Sequence, residues 1–479
     1  MSNVSPNELT IAKAARVLRA REFSVRELWD ACLESAHTKN PELHAYLEIF
    51  DADSVAIDAA QKRIDTETQG APLLCGIPLA LKDNILIEGK IASAASKMLS
   101  KYRATYDATV VKKLKDAGAL FLGRTNMDEF ALGGSTENSA FGVTKNPHDM
   151  RRVAGGTSGG SAAAVAANMA IAALGTDTGG SVRNPASYCG IVGLKPTYGG
   201  VSRSGIIAAV SSFDQVGPLA KTVEDARILY ETILGQDTLD STTIPDGLYP
   251  TRQIPEKMRI GVPRELLAGK GVDDGVRVAF DAILKQLASA GHDIIDIELS
   301  LARPALAAYY IINFAEVSTN LARFDGIRYG LAKRGETLLE DYVQSRTEGF
   351  GPETRRRVIL GAYVLSSGYI DAYYRKAVAA RQALTREFND AFESVDVVAT
   401  PTMPTPAFKI GEKSDPLSLY LEDAFTVLAN LTGMPALSVP MNSVEREGKK
   451  LPVGIHFTAP HQAENILFAI GQVVEDTQT

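Results

Sequence analysis

The stretch that most constrains this chain runs from residue 153 to 204. It holds two glycine-hydroxyl clusters, GGTSGGS at 155–161 and TGGS at 178–181, on either side of an alanine-rich run at 162–174. Glycine loses more chain entropy on folding than any other residue, so folding alone does not favour this density. Such clusters suit a place where backbone approaches a ligand closely and offers N–H groups to it. The hydroxyl side chains set among the glycines add oxygens that can act as nucleophiles or pass protons. The competing reading, two tight turns around a buried helix, leaves both the density and the hydroxyls unexplained.

At 479 residues the chain can bury a large core. Apolar content of 45% and charged content of 22% are those of a globular protein. The net charge of −7 and pI near 5.6 argue against this chain gripping a polyanion by itself, though a partner could do so. The three cysteines, Cys32, Cys75 and Cys189, are too scattered for a disulfide framework or a zinc site, and fit a reducing compartment. The first residues lack a signal pattern, and no run reaches the ~20 apolar residues of a membrane span. A soluble, cytoplasmic chain is expected.

Residues 1–70 read as a helical section packed on the core. Ser24 and Glu27 form a capping box there, and Val25, Leu28, Trp29 and Cys32 follow at helical spacing. From 71 to 479 the chain reads as one α/β body. GIPLALKDNI (76–85) is a strand-like run holding a single lysine, 110–117 is helical, and ALFLG (119–123) is a buried strand. The segment 126–135 ends in a third glycine pair with a serine. Residues 223–234 are helical and 235–257 are a surface connection. Residues 258–298 read as strand, helix, strand. A helical peripheral section spans about 305–395, before a strand-like run at 395–400 and two stretches, 430–438 and 453–458, that bring the chain back to the sheet. Strands alternating with helices predict an α/β fold on a large mixed sheet, with helices on both faces.

Ser181, after Gly179 and Gly180, can be a nucleophile beside backbone donors that would hold an oxyanion. It needs a base. None of the six histidines falls in a glycine motif, and no G-x-S-x-G elbow is present, although a distant triad partner is not excluded by sequence separation. Lys82, the one charge in GIPLALK, is the alternative. It can serve near neutral pH only if burial or a neighbouring cation lowers its pKa from ~10.4. A hydroxyl between the two could relay the proton. No P-loop, HExxH or Cys/His cluster suggests a nucleotide or metal site. Cys189 sits in an apolar context that favours an inert thiol.

These residues resemble a known family. GGTSGGSAAAVAA followed by ALGTDTGGSVRNPASYCGIVGLKPTYG is similar to the signature of the amidase signature family of serine amidohydrolases, and the likeness extends through GIPLALKDNI and SSFDQVGPL. RTNMDEFALGGSTENSAFG, LARFDGIRYG and LSSGYIDAYY resemble one branch, the A subunits of glutamine-dependent aspartyl/glutamyl-tRNA amidotransferases. The resemblance implies the amidase signature fold and a triad of Ser181, Lys82 and a bridging hydroxyl on a cis peptide. The bridging position, 24 residues before Ser181, is Thr157 where serine is usual. It also implies an oxyanion hole from the N–H groups of Thr178, Gly179 and Gly180, and a glutamine clamp of Tyr309, Arg357 and Asp423. An arginine can hold an α-carboxylate bidentately and an aspartate an α-ammonium. Asn184 and Gly200 depart from the glutamine and arginine common at those positions.

By the same resemblance, the chain would hydrolyse glutamine to supply ammonia for converting Glu-tRNA(Gln) or Asp-tRNA(Asn). Its partners would be B-type and C-type subunits in a heterotrimer, with ATP, Mg²⁺ and the mischarged tRNA held mainly by a partner. No cofactor or metal is expected in this chain. Two other readings stand beside it: a stand-alone amidase for another small amide, which needs no paired carboxylate and ammonium clamp, and a catalytically silent scaffold, which needs neither Lys82 nor Ser181.

Overall fold

A computed structural model describes residues 5–67, 70–250, 252–268 and 271–478. Residues 68–69, in the N-terminal section, and residue 251, in the 235–257 connection, lie outside the described residues.

Among the described residues, the core is one mixed sheet of eleven strands. In chain order the strands are β1 (Tyr46–Ile49), β2 (Pro78–Lys82), β3 (Leu120–Thr125), β4 (Lys145–Asn146), β5 (Asp149–Val153), β6 (Ala172–Asp177), β7 (Val192–Lys195), β8 (Gln215–Ala220), β9 (Arg259–Val262), β10 (Asp293–Asp296), β11 (Val397–Pro401), β12 (Ala436–Arg446) and β13 (Lys449–Thr458). Across the sheet they run β1-β3-β2-β6-β8-β7-β12-β13-β11-β9-β10, and β4 and β5 form a separate hairpin. The pairs β3-β2, β2-β6, β11-β9 and β9-β10 are parallel and the others antiparallel.

Two of the parallel pairs follow directly from their connections. A helix, Thr109–Asp116, joins β2 to β3, and another, Asp274–Ser289, joins β9 to β10. Each crosses over and brings the chain back in the same direction. Period-two side-chain alternation places apolar residues on both faces. On β11, Val397 and Ala399 join one hydrophobic cluster and Val398 the other. Helices Ile11–Arg19, Val25–Leu43, Val223–Ile233, Asp274–Ser289 and Glu464–Gln478 contribute to the first cluster. Ala302–Asn320 and Arg375–Ala391 contribute to the second.

The capping box at Ser24 forms, and Trp29 is buried in the core. One element departs from the expectation of an all-helical section over 1–70: Tyr46–Ile49 is an edge strand of the main sheet, antiparallel to β3. Four residues between two helices carry too little alternation to mark a strand. Pairing with β3 is what makes them one. No helix among the described residues is long and apolar enough to cross a membrane.

Candidate active site

Lys82 closes β2, whose five residues are all buried. A strand covered on both faces reads as a continuous apolar run, and burying Leu79 and Leu81 there contributes about 1.5–3 kcal/mol each. The strand therefore carries its last residue into the interior. Lys82 is fully buried, and that desolvation lowers its ammonium pKa to about 7, against the opposing pull of Asp128, Asp177 and Asp214. Its Nζ lies 2.7 Å from Thr157 Oγ1, 2.9 Å from Ser158 Oγ, 2.9 Å from Thr176 Oγ1 and 3.2 Å from the Thr176 carbonyl oxygen.

Topology brings these groups together. β2 and β6 are parallel neighbours, with Leu81 beside Leu174, so both release their chains at the same edge of the sheet. The carboxyl ends of adjacent parallel strands are where α/β sheets place their ligands. β6 ends at Asp177 and runs straight into Thr178–Ser181, while Thr157 and Ser158 precede the short helix Gly159–Ala166 that packs on the same strands. The Gly156–Thr157 peptide is cis. The two glycine clusters are tied by a hydrogen bond from the Ser158 N–H to the Ser181 carbonyl oxygen, 3.1 Å. Ser181 is 6% exposed, and its hydroxyl has no hydrogen-bond partner among the described residues. The Lys82–Thr157 contact is thus in place, and the Ser181 oxygen stays unengaged.

The backbone donors differ from expectation at one residue. The Gly180 N–H donates to Asp177 Oδ1 at 2.9 Å, so it is not open to an oxyanion. The N–H groups of Thr178, Gly179 and Ser181 have no acceptor among the described residues. The reason is Asp177. Its carboxylate also accepts from the Val182 N–H, from Asn430 and from two nitrogens of Arg183. Both members of this pair are fully buried, and the Arg183 guanidinium holds the Asp177 carboxyl far below the usual carboxylate range despite its desolvation. Arg183 also donates to the Thr426 carbonyl and to Asn430, and contacts His456 Nε2. Thr178 Oγ1 donates to buried Asp214. The loop is held on both sides by these hydrogen bonds.

Tyr309, Arg357 and Asp423 come from the helices Ala302–Asn320 and Pro352–Val364 and the turn Leu421–Ala424. Tyr309 lies against the 178–181 loop: a Cβ on Gly179 would collide with its hydroxyl and ring. Its ring stacks on Phe213, centroids 5.4 Å apart. Arg357 is buried, donates to Glu353 (2.8 Å) and Asn313 (3.1 Å), and lies over the rings of Tyr310 and Tyr420. Asn313 in turn donates to Tyr309 Oη at 3.3 Å. Asp423 accepts from Tyr310 Oη at 2.6 Å, and desolvation raises its pKa to about 7. Of the three consecutive arginines, Arg357 alone is buried.

Sequence reasoning did not single out Asp177, Arg183, Asp128, Asn313, Tyr310, Glu353 or Tyr420. Asp177 and Arg183 stand inside the signature segment, and a paired acid and base bracketing TGGS was the available signal. Asn313 and Glu353 fall four residues from Tyr309 and Arg357, one helical turn away. Tyr310 and Tyr420 gave none. The Asn184 side chain accepts from the Gly156 N–H and donates to the Gly134 carbonyl, stitching the cis-peptide loop to its neighbour. At residue 200 a Cβ would meet the Tyr249 hydroxyl.

A family profile described as Amidase matches residues 27–468. The chain is 46% identical over 472 residues to the A-type subunit of the Glutamyl-tRNA(Gln) amidotransferase of Desulfatibacillum aliphaticivorans, covering 97% of this chain and 96% of that one. It is 48% identical over 476 residues to the protein of the same name from Acidobacterium capsulatum, covering 98% and 99%. Among solved structures, the A-type subunit of the Thermotoga maritima Glutamyl-tRNA(Gln) amidotransferase superposes with a TM-score of 0.82 at 39% identity, covering 99% of this chain and 96% of that one. The native peptide amidase of Stenotrophomonas maltophilia does so with 0.82 at 29%, covering 98% and 96%. With the profile spanning nearly the whole chain and relatives matched end to end, this chain belongs to the amidase family.

Proposed function

We propose that this chain is the amidase component of a tRNA-dependent amidotransferase and that it hydrolyses glutamine. The observation that carries this reading is buried Lys82 hydrogen-bonded to Thr157 beside Ser181, in a chain matched end to end by the A-type relatives. Ser181 Oγ attacks the side-chain amide carbon as its proton passes to Thr157 Oγ1, whose own proton passes to neutral Lys82. The N–H groups of Thr178, Gly179 and Ser181 receive the developing oxyanion. Lys82 then returns a proton through Thr157 to the leaving nitrogen, ammonia departs, and water hydrolyses the glutamyl ester on Ser181. Hydrogen bonds to a catalytic hydroxyl commonly tighten only once substrate is bound, so an unengaged Ser181 suits this path.

Arg357 and Asp423 take the α-carboxylate and α-ammonium of glutamine, with Tyr309 against the oxyanion loop. The ammonia serves a B-type subunit that activates Glu-tRNA(Gln) or Asp-tRNA(Asn) with ATP and Mg²⁺, and a C-type subunit completes a cytoplasmic heterotrimer.

Ammonia release from glutamine, measured with and without co-expressed partner subunits, tests the reading. Activity should be low alone, higher in the complex and abolished in Ser181→Ala. Thr157→Ser should keep substantial activity, and Thr157→Ala should lose a factor of about 10² or more. Wild-type turnover in Ser181→Ala would sink the mechanism. Hydrolysis of unrelated amides but never of glutamine, even in the complex, would replace it with a stand-alone amidase.

A further inference from the structure

The motif at 126–135 supplies no group to the proton path above, yet two successive carboxylates in it are buried and fully engaged. Asp128 accepts from the N–H groups of Thr136 (2.8 Å) and Asn138 (3.1 Å). It lies so close to Gly133 and Gly156 that a Cβ on either would strike its carboxylate. Asp128 therefore braces the loop that carries the cis peptide. Glu129 points elsewhere. It is 2% exposed and accepts from Ser96 Oγ (2.6 Å), the Gly351 N–H (2.7 Å) and Thr354 Oγ1 (2.5 Å). Phe130 and Ala131 follow with left-handed φ of 51° and 59°. Phe130 packs on Phe324 and Phe350, which precede and border the same helical region.

Gly351 and Thr354 are the cap and third residue of the helix Pro352–Val364, which carries Arg357. That helix has no side-chain cap of its own, because its cap residue is glycine and its first residue is proline. A helix start leaves N–H groups unpaired and favours negative charge. Here the missing cap arrives from more than two hundred residues away in the chain. We propose that Glu129 is a positioning residue for substrate recognition: by capping Pro352–Val364 from the core, it fixes where that helix presents Arg357. The inference rests on the reading of Arg357 as the α-carboxylate clamp. It gives the Asp128–Glu129 pair a joint role, one carboxylate bracing the proton-relay loop and the next bracing the recognition helix, so that both keep register with Ser181.

Steady-state glutamine hydrolysis by the assembled complex tests this, using Glu129→Ala, Glu129→Gln, Thr354→Val and Arg357→Gln. In Glu129→Ala, KM for glutamine should rise about 10-fold or more, the worth of a lost charged hydrogen bond. Its kcat should stay within about threefold, since the reacting groups are untouched. Glu129→Gln should fall between wild type and alanine, because its amide oxygen can still accept from Gly351. Thr354→Val should raise KM by a smaller factor. The inhibition constant of 4-aminobutanamide, a glutamine without its α-carboxylate, should not change. Loss of kcat with unchanged KM, or equal weakening of glutamine and 4-aminobutanamide, would overturn the proposal. If Arg357→Gln raises KM while the Glu129 and Thr354 variants do not, Glu129 loses its role and the clamp survives. Unchanged KM in Arg357→Gln removes the clamp itself. Should Glu129→Ala fail to fold, Glu129→Gln and Thr354→Val carry the same comparison.

Discussion

At Lys82 two effects oppose each other. Desolvation disfavours the ammonium, three buried carboxylates favour it, and desolvation wins, leaving the pKa at about 7. A lysine with that value is largely neutral just above neutrality and can accept the proton the proposed relay delivers. Asp423 also titrates at about 7, again because of desolvation. In the proposed mechanism both groups must lose a proton for free enzyme to bind and attack glutamine, so both act in the same direction. The logarithm of kcat/KM for glutamine should therefore fall below about pH 7 with a slope between one and two, since that parameter reports the free enzyme. Asp423→Asn should return the slope to one while weakening glutamine binding. A profile flat from pH 6 to 9 would contradict the assignment of Lys82 as the base.

At the scale of elements, the TGGS turn works because glycine leaves room for what surrounds it. Tyr309 from another helix occupies the space a side chain would fill at Gly179, and Thr426 fills that at Gly180. Gly179→Ala must displace either the loop or Tyr309, moving the donors off the oxyanion. Glutaminase activity should drop by about 10² or more, the usual worth of an oxyanion donor. The thermal midpoint should change little, as the collision is local to the site. Near-normal kcat in this variant would show that the Thr178 and Gly179 N–H groups are not the oxyanion donors. β1 is the complementary case, because its four residues become a strand only where β3 offers an edge.

Across the whole molecule, the Asp177–Arg183 pair joins the signature segment to the helix Val427–Thr432 with its cap residue Thr426, and to β13 through His456. It is fully buried, so removing one partner strands a charge in the interior. Arg183→Met should destabilise the fold by about 3–5 kcal/mol, and adding Asp177→Asn should recover part of that loss. Urea unfolding midpoints measure both. An unchanged midpoint in Arg183→Met would mean the pair contributes nothing to stability.

Much was legible beforehand because it is local. The strand ending in Lys82, the helices at 110–117 and 223–234, the strand-helix-strand of 258–298 and the Ser24 capping box each follow from short-range periodicity and capping chemistry. So did the two glycine-hydroxyl clusters, whose residue types are costly unless backbone must meet a ligand. What periodicity could not supply is which distant groups face one another. That Gly180 gives its N–H to Asp177, that Glu129 caps a helix lacking its own cap, and that Tyr310 holds Asp423 all depend on how the folded chain arranges its neighbours. The sequence by itself determined most of the elements, the family and which residues are candidates for a triad. Tertiary structure alone decided the lysine's pKa and which donors remain free, because desolvation and hydrogen-bond pairing are set by neighbours that only the folded chain brings together.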